Sequence, residues 1–197
     1  MKFDDKSRFY LAQQYIQASQ NLLNSMSKSG NPHVVTSDYP ILEKEYLEEV
    51  KNSSHSVMMP TLFCLYQGIE LILKGFVGLK NKENSGHKLD VLCRRFSELY
   101  EEEHELNALF SEFVFSPRKF IYEYMRHNGI TKTDEFYNSL RYPDKKVKGK
   151  TTSRHDYFYL KYPANEEFLP QLHDLSEDIG KLLRLSARLF QELEGAQ

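Results

Sequence analysis

The sequence lacks tryptophan and has only two cysteines in 197 residues, which leaves little material for a disulfide scaffold. Cys64 and Cys93 fall within apolar helical patterns and match no metal-ligand spacing, so we predict reduced core residues in a cytoplasmic protein. Neither sign of charge dominates, because 26 basic and 28 acidic residues give a formal net charge of −2. A nucleic-acid or membrane-surface role would therefore have to come from a local patch.

Several motifs are also absent. There is no Gly-x-Gly-x-x-Gly, no Walker loop and no Gly-x-Ser-x-Gly elbow, which leaves nucleotide-cofactor and hydrolase classes without support. The first residues, MKFDDKSRFY, contain no apolar stretch and predict no signal peptide. The most apolar segment, Val57 to Leu79, is interrupted by Pro60, Gln67, Glu70 and Lys74. Charges at the centre of a spanning helix are costly, so we predict a buried core helix and no membrane association.

Histidine and carboxylate spacings predict no metal site. Glu101-x-x-His104 has the spacing of half a carboxylate-bridged di-metal motif, but the second copy that such a site needs is missing. His33, His55 and His173 fall at unrelated spacings. We expect neither a metal nor another cofactor.

The apolar periodicity is helical along most of the chain and predicts one all-α domain over residues 1–197. A first helix is expected from about Ser7 to Met26, a short one from Ile41 to Val50, and a central one from Pro60 to Leu79. In the last helix the apolar residues follow alternating four- and three-residue steps, typical of the seam of a long bundle helix. They are Phe168, Leu172, Leu175, Ile179, Leu182, Leu189 and Leu193, with Ser186 filling the one gap.

The central helix is apolar nearly all round, which predicts a position in the middle of the bundle. Its second, slimmer face consists of small or apolar residues, against which another helix could pack closely: Cys64, Gly68, Leu71, Gly75 and Gly78.

Residues 144–163, just before the last helix, follow no regular pattern and predict a small irregular or hairpin insertion, with YFYLKY as its best candidate strand. Basic residues are concentrated from Arg141 to Lys161, with aromatic residues at the end of that stretch. Such a segment could contact a phosphate backbone and stack on unpaired bases. The alternative is a solvated flap whose aromatic residues pack onto the bundle.

Gln67, Glu70 and Lys74 lie on one line of the central helix, since they are three and four residues apart. They could form a solvated stripe with a weak Glu70–Lys74 pair. Alternatively, they face other polar groups inside the bundle, because a buried carboxylate is costly unless it is paired and hydrogen-bonded. His87 and Arg141 are the nearest candidate partners in the sequence.

The run QGIELILKG, followed by GHKLDVL and later by FYNSLRYP, resembles the HEPN family (higher eukaryotes and prokaryotes nucleotide-binding domain) over roughly Leu62 to Pro143. The resemblance implies an up-and-down helical bundle of the HEPN type, often a homodimer. Some members of that family are metal-independent ribonucleases of toxin–antitoxin or defence systems. Others are non-catalytic partners of nucleotidyltransferases.

In the ribonuclease branch an arginine and a histidine four to six residues apart assist attack by the RNA 2′-hydroxyl and stabilise the developing phosphate charge. This chain lacks that spacing: Arg118 and His127 are too far apart, and the pairs Arg126-His127 and Arg154-His155 are adjacent. The resemblance therefore leaves a rearranged site as the catalytic expectation, with Arg141 and His155 in the reacting roles. The residues expected to bind or position substrate are Glu70, Lys74, His87, Tyr142, Lys148 and Arg154.

Two functions follow from these patterns. The first is binding of RNA or a nucleotide, with metal-independent ribonuclease activity as its catalytic form and a cognate antitoxin or nucleotidyltransferase as partner. The second is a non-catalytic helical interaction protein, in which the polar cluster is structural. In that case a homodimer would form through the small-residue face or the long C-terminal seam.

Overall fold

A computed structural model describes residues 5–32, 38–80, 86–142, 144–147, 150–153 and 165–195. Within these ranges the chain is all-α apart from one short hairpin. The helices are α1 (Asp5–Lys28), α2 (Glu43–Val50), α3 (Ser54–Lys80), α4 (Leu89–Leu99), α5 (His104–Phe115), α6 (Lys119–His127), α7 (Thr133–Arg141) and α8 (Asn165–Gly195). The strands are β1 (Asp144–Val147) and β2 (Lys150–Ser153), which pair antiparallel.

Helix α3 is the centre of the bundle and packs against α1, α4 and α7. Among the described helices it is the one long and apolar enough to cross a membrane by length and composition, but 61% of its apolar window is buried inside the chain. The predicted core position of this helix is therefore confirmed. Removing apolar side chains from water contributes roughly 1.5–3 kcal/mol for each fully buried Leu or Phe, which makes α3 a main source of stability.

The start of α3 was predicted wrongly at Pro60. The helix begins at Ser54, and Pro60 lies in its second turn. The Ser54 N–H donates to Oδ1 of the buried Asn31 over 2.6 Å, which satisfies one of the donors that every helix N-terminus leaves unpaired. This cap comes from 23 residues upstream, so no local sequence pattern could indicate it.

The small-residue face of α3 meets α1 of the same chain at Gly68. A Cβ built on Gly68 would lie 2.3 Å from Cγ1 of Ile16, so only glycine permits this approach. The predicted close packing is confirmed at this position. Its use as a homodimer surface stays a prediction, with Gly68 itself occupied by α1.

The C-terminal seam is also used within the chain. Its members from Phe168 to Leu189 are buried, Ser186 fills the gap as predicted, and Leu193 is partly buried. Helix α8 packs against α1 and α5. The buried residues of this seam thus belong to the intramolecular core, and the homodimer stays a prediction.

Both cysteines are free, as expected from their positions in the core pattern. Burial raises the pKa of Cys93 to about 11, although the charge of Arg94 opposes this. Burial also raises the pKa of Cys64. Each thiol is therefore held in its protonated, unreactive form.

The region before α8 contains the hairpin that the irregular pattern allowed for, with Asp144 opposite Ser153 and Val147 opposite Lys150. The candidate strand YFYLKY lies outside the described residues. Helix α7 was not predicted as a separate element, although Phe136, Tyr137 and Leu140 have helical spacing and are buried.

Helix α2 differs from the rest because all of its residues except Val50 are exposed. Leu42, Tyr46 and Leu47 are 67%, 38% and 55% exposed. An isolated helix of eight residues is marginal in water. Its N-terminus is held by Glu45, whose side chain accepts from the Leu42 N–H over 3.2 Å.

Candidate functional site

The polar stripe of α3 faces the start of α4 and the end of α7, where it forms a cluster around Glu70. The Glu70 side chain is only 3% exposed. Its Oε1 lies 2.7 Å from Nζ of Lys74 and 2.9 Å from Nδ1 of His87. The stripe is therefore not a solvated face, and the buried carboxylate has the partners that its burial requires.

The second oxygen of this carboxylate faces α7. Nη2 of Arg141 lies 3.4 Å from Oε2 of Glu70 and donates to Oε1 of Gln67 over 2.6 Å. The Tyr137 hydroxyl donates to the same Gln67 oxygen and accepts from Arg141. The Arg141 guanidinium also stacks over the Tyr137 ring, with Cζ 4.4 Å from its centroid. These contacts fix the position of the guanidinium.

His87 is attached to the cluster through one ring nitrogen only. Its Nδ1 is also 2.6 Å from Nζ of Lys74. Two arrangements satisfy these contacts: either Nδ1–H donates to Glu70, or the Lys74 ammonium donates to an unprotonated Nδ1. In the first arrangement a neutral His87 has its acceptor at Nε2, and in the second Nε2 carries the proton. The side chain is 83% exposed, so the imidazole is accessible to a ligand.

The pKa values of the cluster follow from these contacts. Burial alone would raise the pKa of Glu70, but hydrogen bonds from Lys74 and His87 and the charge of Lys74 bring it below its ordinary value. Glu70 is therefore ionised at neutral pH. The pKa of Tyr137 is raised far above its ordinary value, mainly by burial and then by the negative charge of Glu70. Its hydroxyl acts as a neutral donor.

The charges in the Glu70 cluster do not balance. One carboxylate lies against the ammonium of Lys74 and the guanidinium of Arg141, and His87 adds a third positive charge when protonated. The carboxylate is buried, whereas the Lys74 and Arg141 side chains are 15% and 33% exposed. The surplus positive charge therefore lies on the solvent side, and the arrangement can bind an anion.

The structure brings together four of the predicted site residues: Glu70, Lys74, His87 and Arg141. Tyr142 is 66% exposed and makes no side-chain hydrogen bond among the described residues. Lys148, Arg154 and His155 lie outside those residues, so their predicted roles stay predictions.

Sequence reasoning missed Tyr137 as a member of the cluster. It lies four residues before Arg141 on α7, and this helical spacing was the available signal.

Among the described residues, one group has atoms close enough to share a metal ion: His173, Asp174 and Glu177 on α8, all exposed. Asp174 also contacts Arg118, with Oδ2 3.7 Å from Nη1. Exposed side chains at helical spacing commonly lie this close together without a bound metal ion. No other observation on the described residues at this position indicates a metal.

No protein-family model, curated protein or solved structure matches this chain. The HEPN resemblance therefore rests on the sequence patterns alone and stays a prediction.

Proposed function

We propose that the Glu70 cluster binds the phosphate groups of RNA or of a nucleotide. The observation that carries this proposal is the unequal charge of the cluster, in which one buried carboxylate orients three basic side chains. A purely structural cluster needs only enough positive charge to neutralise its one carboxylate. The additional charge supports a role toward an external anion.

Arg141 is the main phosphate ligand in this proposal. Its guanidinium is already ordered by Gln67, Tyr137 and Glu70, so little conformational freedom is lost when an anion binds. The Lys74 side chain is partly exposed and adds a second positive charge to the site. The HEPN resemblance agrees with an RNA ligand and adds the setting of a toxin–antitoxin or defence system.

In the catalytic form of this function, the site cleaves RNA without a metal. The RNA 2′-oxygen bonds to phosphorus while the bond from phosphorus to the 5′-oxygen breaks. A histidine accepts the 2′-hydroxyl proton, and the leaving oxygen takes a proton from water or from an acid group. His87 has the required acceptor at Nε2 when its Nδ1–H donates to Glu70, and His155 keeps the reacting role predicted for it from the sequence. Arg141 stabilises the charge that develops on the phosphate.

The first test is binding and cleavage of a labelled RNA in EDTA by the wild type, Arg141→Ala, His87→Ala and His155→Ala. We expect Arg141→Ala to weaken binding about tenfold or more, as for the loss of one charged hydrogen bond. The slope of log affinity against log salt should also fall by about 0.7, because one phosphate contact with single-stranded RNA is lost. Cleavage lost in either histidine variant would assign the proton transfer to that histidine.

Arg118→Ala is the matched control. The Arg118 side chain is 29% exposed, close to the 33% of Arg141, but its charge is already matched by Asp174 and Asp178. It should leave RNA affinity and the salt slope unchanged. Equal losses in both variants, or no RNA binding by the wild type, would contradict the proposal.

The second candidate is a non-catalytic interaction protein in which the Glu70 cluster only stabilises the bundle. The missing arginine–histidine spacing favours it. In that case Arg141→Ala would lower the melting temperature without changing RNA affinity.

A further inference from the structure

The structure contains a cleft of about 600 Å³. It is bounded by the first turns of α4 and α7, the end of α5, and α6. We call it the Phe115 cleft, and seven charged or aromatic side chains line it: Asp90, Arg94, Phe115, Tyr122, Arg126, Lys132 and Asp134. Its volume is within the range of small-molecule sites.

The Phe115 cleft and the Glu70 cluster are built on the same two helix segments. His87 and Asp90 are three residues apart at the start of α4, and the Asp134 carboxylate accepts from the Leu89 N–H over 2.6 Å. On α7, Arg141 follows Asp134 by about 10 Å of helix rise. One nucleic-acid strand could therefore reach both sites.

Two aromatic side chains line the cleft without being buried. Phe115 is 43% exposed and Tyr122 is 57% exposed. The Arg94 guanidinium lies over the Phe115 ring, with Cζ 5.2 Å from its centroid. Exposed rings beside a cation provide a surface on which a nucleobase can stack, and stacking contributes roughly 1–3 kcal/mol per base.

Two carboxylates line the same cleft; they hydrogen-bond to each other, and both also accept from backbone N–H groups. Oδ1 of Asp134 accepts from Leu89, and Oδ1 of Asp90 accepts from Val91 over 2.8 Å. Burial raises the pKa of Asp134, the Leu89 N–H opposes this, and the neighbouring Asp90 raises it further. A ligand that offers N–H donors would relieve this crowding of negative charge.

The cleft is also lined by three cationic side chains, those of Arg94, Arg126 and Lys132. Arg94 and Arg126 make no ion pair within 4.0 Å among the residues that the structure describes. Their charges are therefore available to an anionic part of a ligand. A ligand that suits all three groups has an aromatic ring, an edge of N–H donors and a phosphate.

We propose that the Phe115 cleft binds a guanine nucleotide, with the base stacked on Phe115 and its donors facing Asp90 and Asp134. Guanine offers neighbouring N1–H and N2–H donors that a carboxylate can accept together, whereas adenine offers an acceptor at N1. The inference deepens the proposed function and rests on it where the nucleotide belongs to an RNA strand held at Arg141.

Calorimetric titration with GMP, AMP and CMP tests the base preference directly. We expect GMP to bind at least about tenfold more tightly than AMP, equal to roughly 1.4 kcal/mol. Phe115→Ala should weaken GMP binding roughly 5- to 150-fold, the equivalent of one stacking contact. Asp90→Asn should remove the preference for GMP over AMP, because the amide replaces one acceptor oxygen by a donor.

Tyr10→Ala is the control, because Tyr10 is an aromatic residue on α1 that is 53% exposed and lies outside the cleft. It should leave GMP binding unchanged. Far-UV circular dichroism and the melting temperature of each variant identify any that fails to fold. Equal affinity for the three nucleotides, or no effect of Phe115→Ala in a folded protein, would overturn the inference.

Short RNAs with and without guanine separate the two sources of the nucleotide. Tighter binding of guanine-containing RNA, lost in Phe115→Ala, supports the cleft as part of an RNA site. GMP binding without RNA binding supports a free nucleotide and contradicts the RNA form of the proposed function. RNA binding that depends on Arg141 but neither on guanine nor on Phe115 contradicts the cleft and leaves the proposed function standing.

Discussion

The Glu70 cluster and the ion pairs of Arg118 both join distant parts of the chain, but their charges are balanced in opposite ways. Glu70 is one acid among three bases. Arg118 is one base between two acids of α8, Asp174 and Asp178. Arg118 lies just before α6 and connects it to α8, and its side chain also donates to the Asp174 carbonyl. In the Arg118 network two carboxylates neutralise the one guanidinium, which indicates a structural role. In the Glu70 cluster the basic side chains outnumber the carboxylate, so positive charge remains after the carboxylate is neutralised.

The burial of the central group also differs. The Glu70 side chain is 3% exposed, whereas Arg118 and Asp178 are 29% and 25% exposed. Solvent screens the Arg118 pairs more strongly, so each contributes less to stability. The Glu70 cluster has a buried carboxylate at its centre and partly exposed basic side chains at its edge. This arrangement suits binding, because a ligand can contact the basic side chains without disturbing the core.

The largest expected effect is that of Glu70→Ala. Removing the carboxylate leaves Lys74 and Arg141 facing each other beside α3, and breaking a buried pair typically costs about 3–5 kcal/mol. Because these two bases are partly exposed, we expect a loss of about 3 kcal/mol in the free energy of unfolding, measured by urea denaturation. The exposed Glu98→Ala should stay within about 0.5 kcal/mol. A loss below about 1 kcal/mol for Glu70→Ala would show that the cluster is not a structural centre.

Arg118→Ala should have an intermediate effect. We expect it to lower the free energy of unfolding by about 1 kcal/mol, because charged hydrogen bonds between α6 and α8 are lost at a partly exposed position. Arg141→Ala should cost less, since Glu70 keeps Lys74 and His87 as partners. The measurement is the same denaturation at low and high salt. A larger loss in the free energy of unfolding for Arg141→Ala than for Arg118→Ala would contradict the binding role of Arg141 and the structural role of Arg118.

The smallest expected effect is a change in the pH dependence of stability. The pKa of Glu70 is lowered by folding, so its contribution is fully present above its ordinary value near 4.5 and is lost as the pH falls through the folded value. The pKa of Asp134 is raised by folding, which gives the opposite sign, with stability gained as the pH falls.

Glu70→Gln should therefore flatten the acid loss of stability, and Asp134→Asn should steepen it. Thermal melts of both variants and the wild type from neutral pH to about pH 3 provide the measurement. The same direction of change in both variants would contradict the assignment.

Sequence patterns predicted much of the fold because buried apolar residues recur at regular spacings along a helix. The seam of α8, the core position of α3 and the close approach at Gly68 all follow from local spacing. The polar stripe and its partners His87 and Arg141 were also predictable, because a buried carboxylate requires counter-charges.

What the patterns missed depends on contacts across the sequence. The start of α3 depends on Asn31, and the Phe115 cleft combines residues from four helices that no single periodicity connects. Helix α7 is only nine residues long, and its apolar spacing is too brief to stand out against its surroundings.

Asn31 has one more consequence. Its backbone has φ of 50°, and its side chain holds the start of α3. Residues 38–51, which lie between these two points in the sequence, have little buried surface. Closing a loop costs only about 0.6 kcal/mol more when its length doubles. Residues 38–51 are therefore where the chain should best tolerate an inserted epitope or a protease site, and a cut there would leave two fragments still held together by the packing of α1 against α3.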